Sequence, residues 1–370
     1  MPWPWAIPEI IRISFFWKRW GAGRYKNLSI YDMQQCVTAM DWVSRKSLCV
    51  GTSTGNKNEI LELALPDKML QSEEDGKLKK DRDFRVLTGG FCKSPINDIK
   101  HIPDTRYCMT ATTGETTVSV WKMGDCDTDL MTEEKSISAV NSTCHPTQIS
   151  VHTNNLNDNS IVFGSSLNNI TVLDTERFEK IRDFSGDDQS DQVSSIFHRT
   201  ASVLMCCTST GDIYTCDLRC EKVKVNCSHK VVNKKQVDWT ATKLNDQSDS
   251  IILASTHGDV VVLDSDFREK CVRKTCDSPK GKGNHFFVQG SPDGSRFSIS
   301  GLDGMVYIYN SPLKDKNLEP VFVHEGHKRN SEDQSDSVCV VKHMWYPWQQ
   351  DLIISSATDS SLHAWQYNPI

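Results

Sequence analysis

The chain has 370 residues, 38% hydrophobic and 24% charged, which excludes a disordered polymer and leaves enough apolar side chains for a sizeable core. Its 42 Lys and Arg against 48 Asp and Glu leave a net charge of -6, no field for gathering nucleic acid or an anionic membrane. Fourteen cysteines lie scattered inside apolar runs and not at framework spacings, so free thiols in a reducing cytosol or nucleus are expected.

Residues 1–23 open the chain with Trp3, Trp5, Trp17 and Trp20, interrupted by Glu9, Arg12, Lys18 and Arg19. No apolar stretch there reaches the length of a signal peptide or a membrane span. Pro2, Pro4 and Pro8 exclude a helix before about Glu9. Beyond it, Ile10, Ile11, Ile13 and Phe16 could line an amphipathic helix for a partner or a membrane surface. These residues are expected to form a non-propeller segment ahead of one domain spanning residues 24–370, and no membrane contact is expected unless they supply it.

From about residue 36 one pattern recurs: an apolar alternating run, a second ending in Ser, Thr or Ala, a tight polar turn, and a third alternating run. NEILELALP from Asn58 is a degenerate first copy. It is followed by TATTGETTVSVWK from Thr110, GSSLNNITVLD from Gly164, CTSTGDIYTCD from Cys207, ASTHGDVVVLD from Ala254, SGLDGMVYIYN from Ser300 and SATDSSLHAWQ from Ser356. Each reads as a hairpin, because Gly or Asn in the turn tolerates the positive φ that joins two twisted antiparallel strands. The copies recur at or somewhat above the ~40 to 45 residues of one propeller blade.

Seven copies predict an all-β, seven-bladed propeller of the WD type in a single domain, with blades starting near Val37, Ile96, Ile149, Val193, Val237, His285 and Val338. Closure is expected from a strand at residues 28–33 pairing with the last strand, residues 362–365. The charge-dense residues 68–82 and 327–337 read as solvated loops. The motif itself is degraded: no Trp-Asp dipeptide survives, Trp121-Lys122 and Trp365-Gln366 being nearest, and the one Gly-His pair is Gly326-His327.

Few residues offer chemistry. His327, Ser355 or Ser356, Asp359 and Trp365 in the last blade superficially suggest an acid, a base and a nucleophile. The more economical reading is a structural hydrogen-bond network that satisfies buried polar groups. Cys206, Cys207, Cys216, Cys220 and Cys227 with His229 contain one weak knuckle and no convincing second, so no metal is expected. There is no phosphate loop, no GxSxG elbow and no HExxH, so neither cofactor nor catalysis is expected. The basic stretches at residues 222–235 and 280–282 lack interleaved aromatics, which argues against nucleic acid.

Several strings are more specific than the repeat: KNEILELALP from Lys57, DRDFRVLTGGF from Asp81, SPINDIKHIPDTR from Ser94, VFVHEGH from Val321, and MWYP from Met344 followed by LIISSATDSSLHAW from Leu352. Together they resemble one family of WD-repeat propellers. The resemblance implies a monomeric, non-enzymatic cytoplasmic scaffold that assists assembly of the endonuclease module of the Integrator complex. Its implied partners are the endonuclease subunit and that subunit's inactive relative, and it further implies microtubule-associated proteins and spindle poles in mitosis. Arg85, Gly89, Gly90 and Phe91 lie in a string that matches the family closely, and they are the expected partner-binding residues.

Overall fold

Alternating apolar residues between tight polar turns become antiparallel strands throughout the computed structural model. The structure describes residues 11–12, 23–55, 57–66, 69, 83–124, 130–138, 145–152, 160–184, 191–220, 226–229, 237–245, 248–274, 286–311, 318–327 and 338–368. Two strands precede the first blade, β1 (Ile11–Arg12) and β2 (Tyr25–Asp32). Blade one comprises β3 (Cys36–Ser44), β4 (Ser47–Thr54), β5 (Lys57–Ala64) and β6 (Arg85–Cys92), and blade two β7 (Ile96–Ile102), β8 (Tyr107–Thr112), β9 (Thr117–Lys122) and β10 (Thr132–Ser138). Blade three is β11 (Gln148–His152), β12 (Ser160–Gly164), β13 (Ile170–Asp174) and β14 (Lys180–Phe184). Blade four is β15 (Val193–Thr200), β16 (Val203–Thr208), β17 (Ile213–Asp217) and β18 (Asn226–His229). Blade five follows with β19 (Trp239–Lys243), β20 (Ile251–Ser255), β21 (Asp259–Leu263) and β22 (Glu269–Lys274), and blade six with β23 (Phe287–Gly290), β24 (Arg296–Ser300), β25 (Val306–Asn310) and β26 (Phe322–His324).

Blade seven takes β27 (Val340–Trp345), β28 (Leu352–Ala357) and β29 (Ser361–Tyr367) from the end of the chain and its outer strands from the beginning. β2 pairs with β29 through Leu28 opposite Trp365 and Tyr31 opposite Leu362, and the Met33 amide donates to the Ser360 carbonyl at 3.0 Å. Ile11 and Arg12 then pair with Asp32 and Tyr31, so this part of the amino-terminal segment adds a fifth strand to the sheet. The other residues expected to stand apart, 1–10 and 13–22, lie outside the described residues, as do most of the two charged loops.

The first strands of neighbouring blades touch in succession, and β27 returns to β3, which closes the ring. Every blade begins within two residues of the position its repeat predicts. The core is a set of seven seams, each with its own apolar cluster drawn from two adjacent blades. At the closing seam, Tyr31, Leu352 and Leu362 of blade seven pack with Val37, Leu48 and Leu63 of blade one, all nearly inaccessible. Each such side chain is worth roughly 1.5 to 3 kcal/mol of transfer free energy, so the ring is held by its seams. The hairpin turns carry the expected strain: Gly211 and Gly258 adopt φ of 87° and 82°, and blade seven places Ser360 there at 66°.

Candidate functional site

The last blade assembles the polar residues most suggestive of chemistry. His327 follows β26, Ser355 lies on β28, and Asp359 and Ser361 lie at the turn into β29. His327 Nε2 is 2.8 Å from Ser355 Oγ and Nδ1 is 2.7 Å from Ser361 Oγ. The Ser361 hydroxyl donates to Asp359 Oδ1 at 2.5 Å, and Trp365 Nε1 donates to Ser355 Oγ at 3.1 Å. Because the single Ser361 proton goes to the carboxylate, His327 donates from Nδ1 and accepts the Ser355 proton at Nε2. Burial pushes the His327 pKa down to about 4, partly opposed by Asp359. A serine and a base so joined would suit nucleophilic catalysis, but both are sealed from solvent, and no substrate atom can reach Ser355 Oγ.

Ser356 does not belong to this chain of bonds. Strand alternation points it to the opposite face, where its hydroxyl donates to the Val37 carbonyl at 3.2 Å across the closing seam.

Two histidines that the repeat does not announce complete the cluster. His324 Nε2 lies 3.1 Å from His363 Nδ1, and His324 Nδ1 lies 2.9 Å from the Tyr25 hydroxyl on β2. Burial holds both rings well below the usual imidazole pKa. The nitrogens of His324, His327 and His363 fall within 4.8 Å of one another. The geometry nonetheless opposes a metal. His327 and His363 stack at 3.7 Å with 15° between their planes, so their in-plane lone pairs run side by side instead of converging, and both His327 nitrogens are engaged by serines. The hint in the sequence is VFVHEGH, which puts His324 three residues before His327. Of the cysteines, Cys206, Cys207 and Cys216 are buried while Cys220 and Cys227 are exposed. Burial raises the Cys207 and Cys216 thiols to about 12, which suits apolar packing and not ligation.

The expected partner-binding residues all lie on β6, the outer strand of blade one. Arg85 is exposed, and Phe91 is 60% exposed with the Lys57 ammonium 5.7 Å from its ring centroid. Leu87 between them is 44% exposed, and Leu130 of the neighbouring blade, bridged in parallel to Gly89, is 56% exposed. The stripe is apolar and faces outward. The glycines have another duty. A Cβ on Gly89 would lie 2.7 Å from Leu61 Cδ2, and one on Gly90 would lie 2.8 Å from the Met131 carbonyl. They let residues 130–131 close on the strand, where the Met131 amide donates to the Gly89 carbonyl at 2.7 Å. Other matched strings meet nearby: Arg106 clamps the buried Glu62 carboxylate at 2.8 and 3.2 Å, joining blades one and two.

Closed ring, first-strand spacing and the His-Ser-Trp network together define a WD-type seven-bladed propeller whose accessible surface is made of edges and loops. A family model for the Pep3/Vps18/deep orange beta-propeller domain matches residues 134–294, the middle blades. Over nearly its whole length the chain is similar to proteins named Integrator complex assembly factor WDR73. It is 28% identical to the Xenopus laevis protein over 361 residues, 94% of this chain and 96% of that one. It is 27% identical to the Danio rerio protein over 93% of both, and 26% identical to the Homo sapiens protein over 93% of this chain and 94% of that one.

Proposed function

We propose that this chain is a non-enzymatic assembly factor for the Integrator complex, a rigid ring on which protein partners are held together. The observation that carries the reading is similarity to proteins bearing that name over 93 to 94% of the chain. The buried serine and histidine leave the outer surface as the working part, and binding specificity resides in edge and loop side chains. The partners are the endonuclease subunit and its inactive relative, bound in the cytoplasm before nuclear import. The spindle-pole expectation is a separate matter for imaging in dividing cells.

The β6 stripe is the proposed contact, because interface energy concentrates in a few aromatic, apolar and Arg anchors. Arg85→Glu combined with Phe91→Ala changes exposed side chains only, so circular dichroism is expected to stay unaltered while co-purification of the endonuclease pair from cytosol falls. Full retention of the pair rejects the contact assignment. Absence of the pair from the wild-type purification rejects the function.

A further inference from the structure

A second surface lies on the face of the ring that carries the loops between the first and second strand of each blade. There, at the seam of blades seven and one, Trp42, Tyr346 and Trp348 form a cluster of nearly perpendicular rings, with centroids 5.1, 5.2 and 6.4 Å apart. Trp42 is fixed by its indole donating to the Trp345 carbonyl at 2.8 Å, and Tyr346 is buried, yet Trp348 is 42% exposed. The adjoining turn presents Arg45 and Lys46, both exposed, neither with an ion pair or side-chain hydrogen bond among the described residues. Their backbones are clamped. The Tyr346 hydroxyl donates to the Arg45 carbonyl at 2.8 Å, the Leu65 amide to the Lys46 carbonyl at 2.8 Å, and the Lys46 amide to Ser44 Oγ at 3.1 Å.

We propose that Trp348, Arg45 and Lys46 form a docking surface for an extended acidic segment of a protein partner, which seats a proline or aromatic side chain on the indole and carboxylates on the two cations. The argument is complementarity with pre-organisation. Trp and Arg are the side chains that most often anchor interfaces, and a turn fixed before binding spares the partner the cost of ordering it. Two unpaired cations beside an exposed indole select for negative charge near an apolar ring. RNA offers phosphates and stacking bases as well, but two cations on a chain of net charge -6 make no continuous track for a phosphate backbone. A short acidic protein segment needs no such track. This surface deepens the platform reading without depending on β6.

The test pans a random peptide library of about 12 residues against the immobilised full chain, then measures the labelled consensus by fluorescence anisotropy. Enriched peptides are expected to carry several Asp or Glu beside a proline or aromatic residue. Affinity is expected to fall about ten-fold or more on Trp348→Ala and on the double change Arg45→Glu, Lys46→Glu, and to be unchanged on Arg85→Glu with Phe91→Ala. Melting curves matching the parent identify folded variants, and because the three side chains are exposed both variants are expected to fold. Failure to enrich any peptide, enrichment of neutral or basic ones, or indifference to both variants overturns the proposal. So does labelled oligouridine that binds through the same residues and displaces the peptide. Absence of the Integrator pair from the wild-type co-purification would overturn the platform reading alone, because the peptide measurement does not use that pair.

Discussion

Acidification is expected to unfold the ring at a pH where its carboxylates are still ionised. Six histidines among the described residues are buried with lowered pKa: His327 at about 4, His198 and His343 at about 3, His101 below the usual value, and His324 and His363 well below it. Burial is the largest cause in each. In the unfolded chain these rings titrate near 6.5, so below that pH the unfolded state binds more protons than the native one. The stability they contribute is therefore complete above about 6.5, declines as pH falls, and goes on declining toward the folded-state values. At pH 5 each of the three rings titrating at about 3 or 4 costs roughly 2 kcal/mol, on the order of 6 kcal/mol together, comparable with the whole stability of about 5 to 15 kcal/mol for a folded domain, and the other rings act in the same direction. Asp41, raised by burial, takes up its proton at higher pH in the folded chain than in the unfolded one and so opposes part of this loss. Urea unfolding at several pH values between about 5 and 7.5 is expected to show a steep loss of midpoint on the acid side. His343→Gln, which removes one proton site between Ser298 and Ser300, is expected to shallow the slope by nearly one proton. A midpoint that stays flat from pH 7 to 5, or rises on acidification, would refute the assignment of these rings as neutral and buried.

Three further outcomes follow from the packing. Deleting residues 24–34 strips β2 from β29 and takes Tyr31 out of the closing core, so a lower melting temperature and concentration-dependent aggregation are expected by scanning calorimetry and light scattering; an unchanged melt would contradict closure by this strand. Gly90→Ala is expected to cost about 1 to 3 kcal/mol in urea unfolding, because its methyl would press on the Met131 carbonyl, whereas Phe91→Ala next to it should cost little. Mild chelation is expected to leave the melting temperature unaltered, and elemental analysis finding stoichiometric zinc would overturn the metal-free reading.

Much of the ring was legible because local rules repeat. The alternation of Val118, Val120 and of Tyr307, Tyr309, with glycine turns such as Gly211 and Gly258, is enough to place the hairpins, and their spacing sets the blade count. The polar network is less accessible from sequence. Ser355 and Ser356 are adjacent and identical, and only the strand's phase decides that Ser355 meets His327 while Ser356 turns to Val37. The glycines of β6 stand out in the matched string, yet their reason is steric and lies in residues 130–131 of another blade. Trp348 and Trp42, like Tyr346 and Arg45, are about 300 positions apart and meet only because the ring closes.

The degraded motif has a physical explanation in where the polar bonds went. In blade seven the chain from Asp359 to Trp365 is complete. Elsewhere many of the bonds cross the seams, although Trp121 of blade two keeps its within-blade bond to Thr110. His198 of blade four lies between Ser150 and Ser160 of blade three, and His343 of blade seven between Ser298 and Ser300 of blade six, with Trp345 also donating to Ser298 at 2.8 Å. First-strand side chains cap backbone amides of the next blade: Asp41 accepts from His101, Asp98 from Ile149 and Ser195 from Ala241. Each bond satisfies a buried group that a within-blade partner would otherwise serve, so the dipeptides that mark a regular repeat can be lost with these groups still paired. A ring stitched this way has little freedom to move blade against blade. Its partners are therefore expected to meet a pre-formed surface, and changes to its exposed edges and loops should alter binding while leaving the melt unchanged.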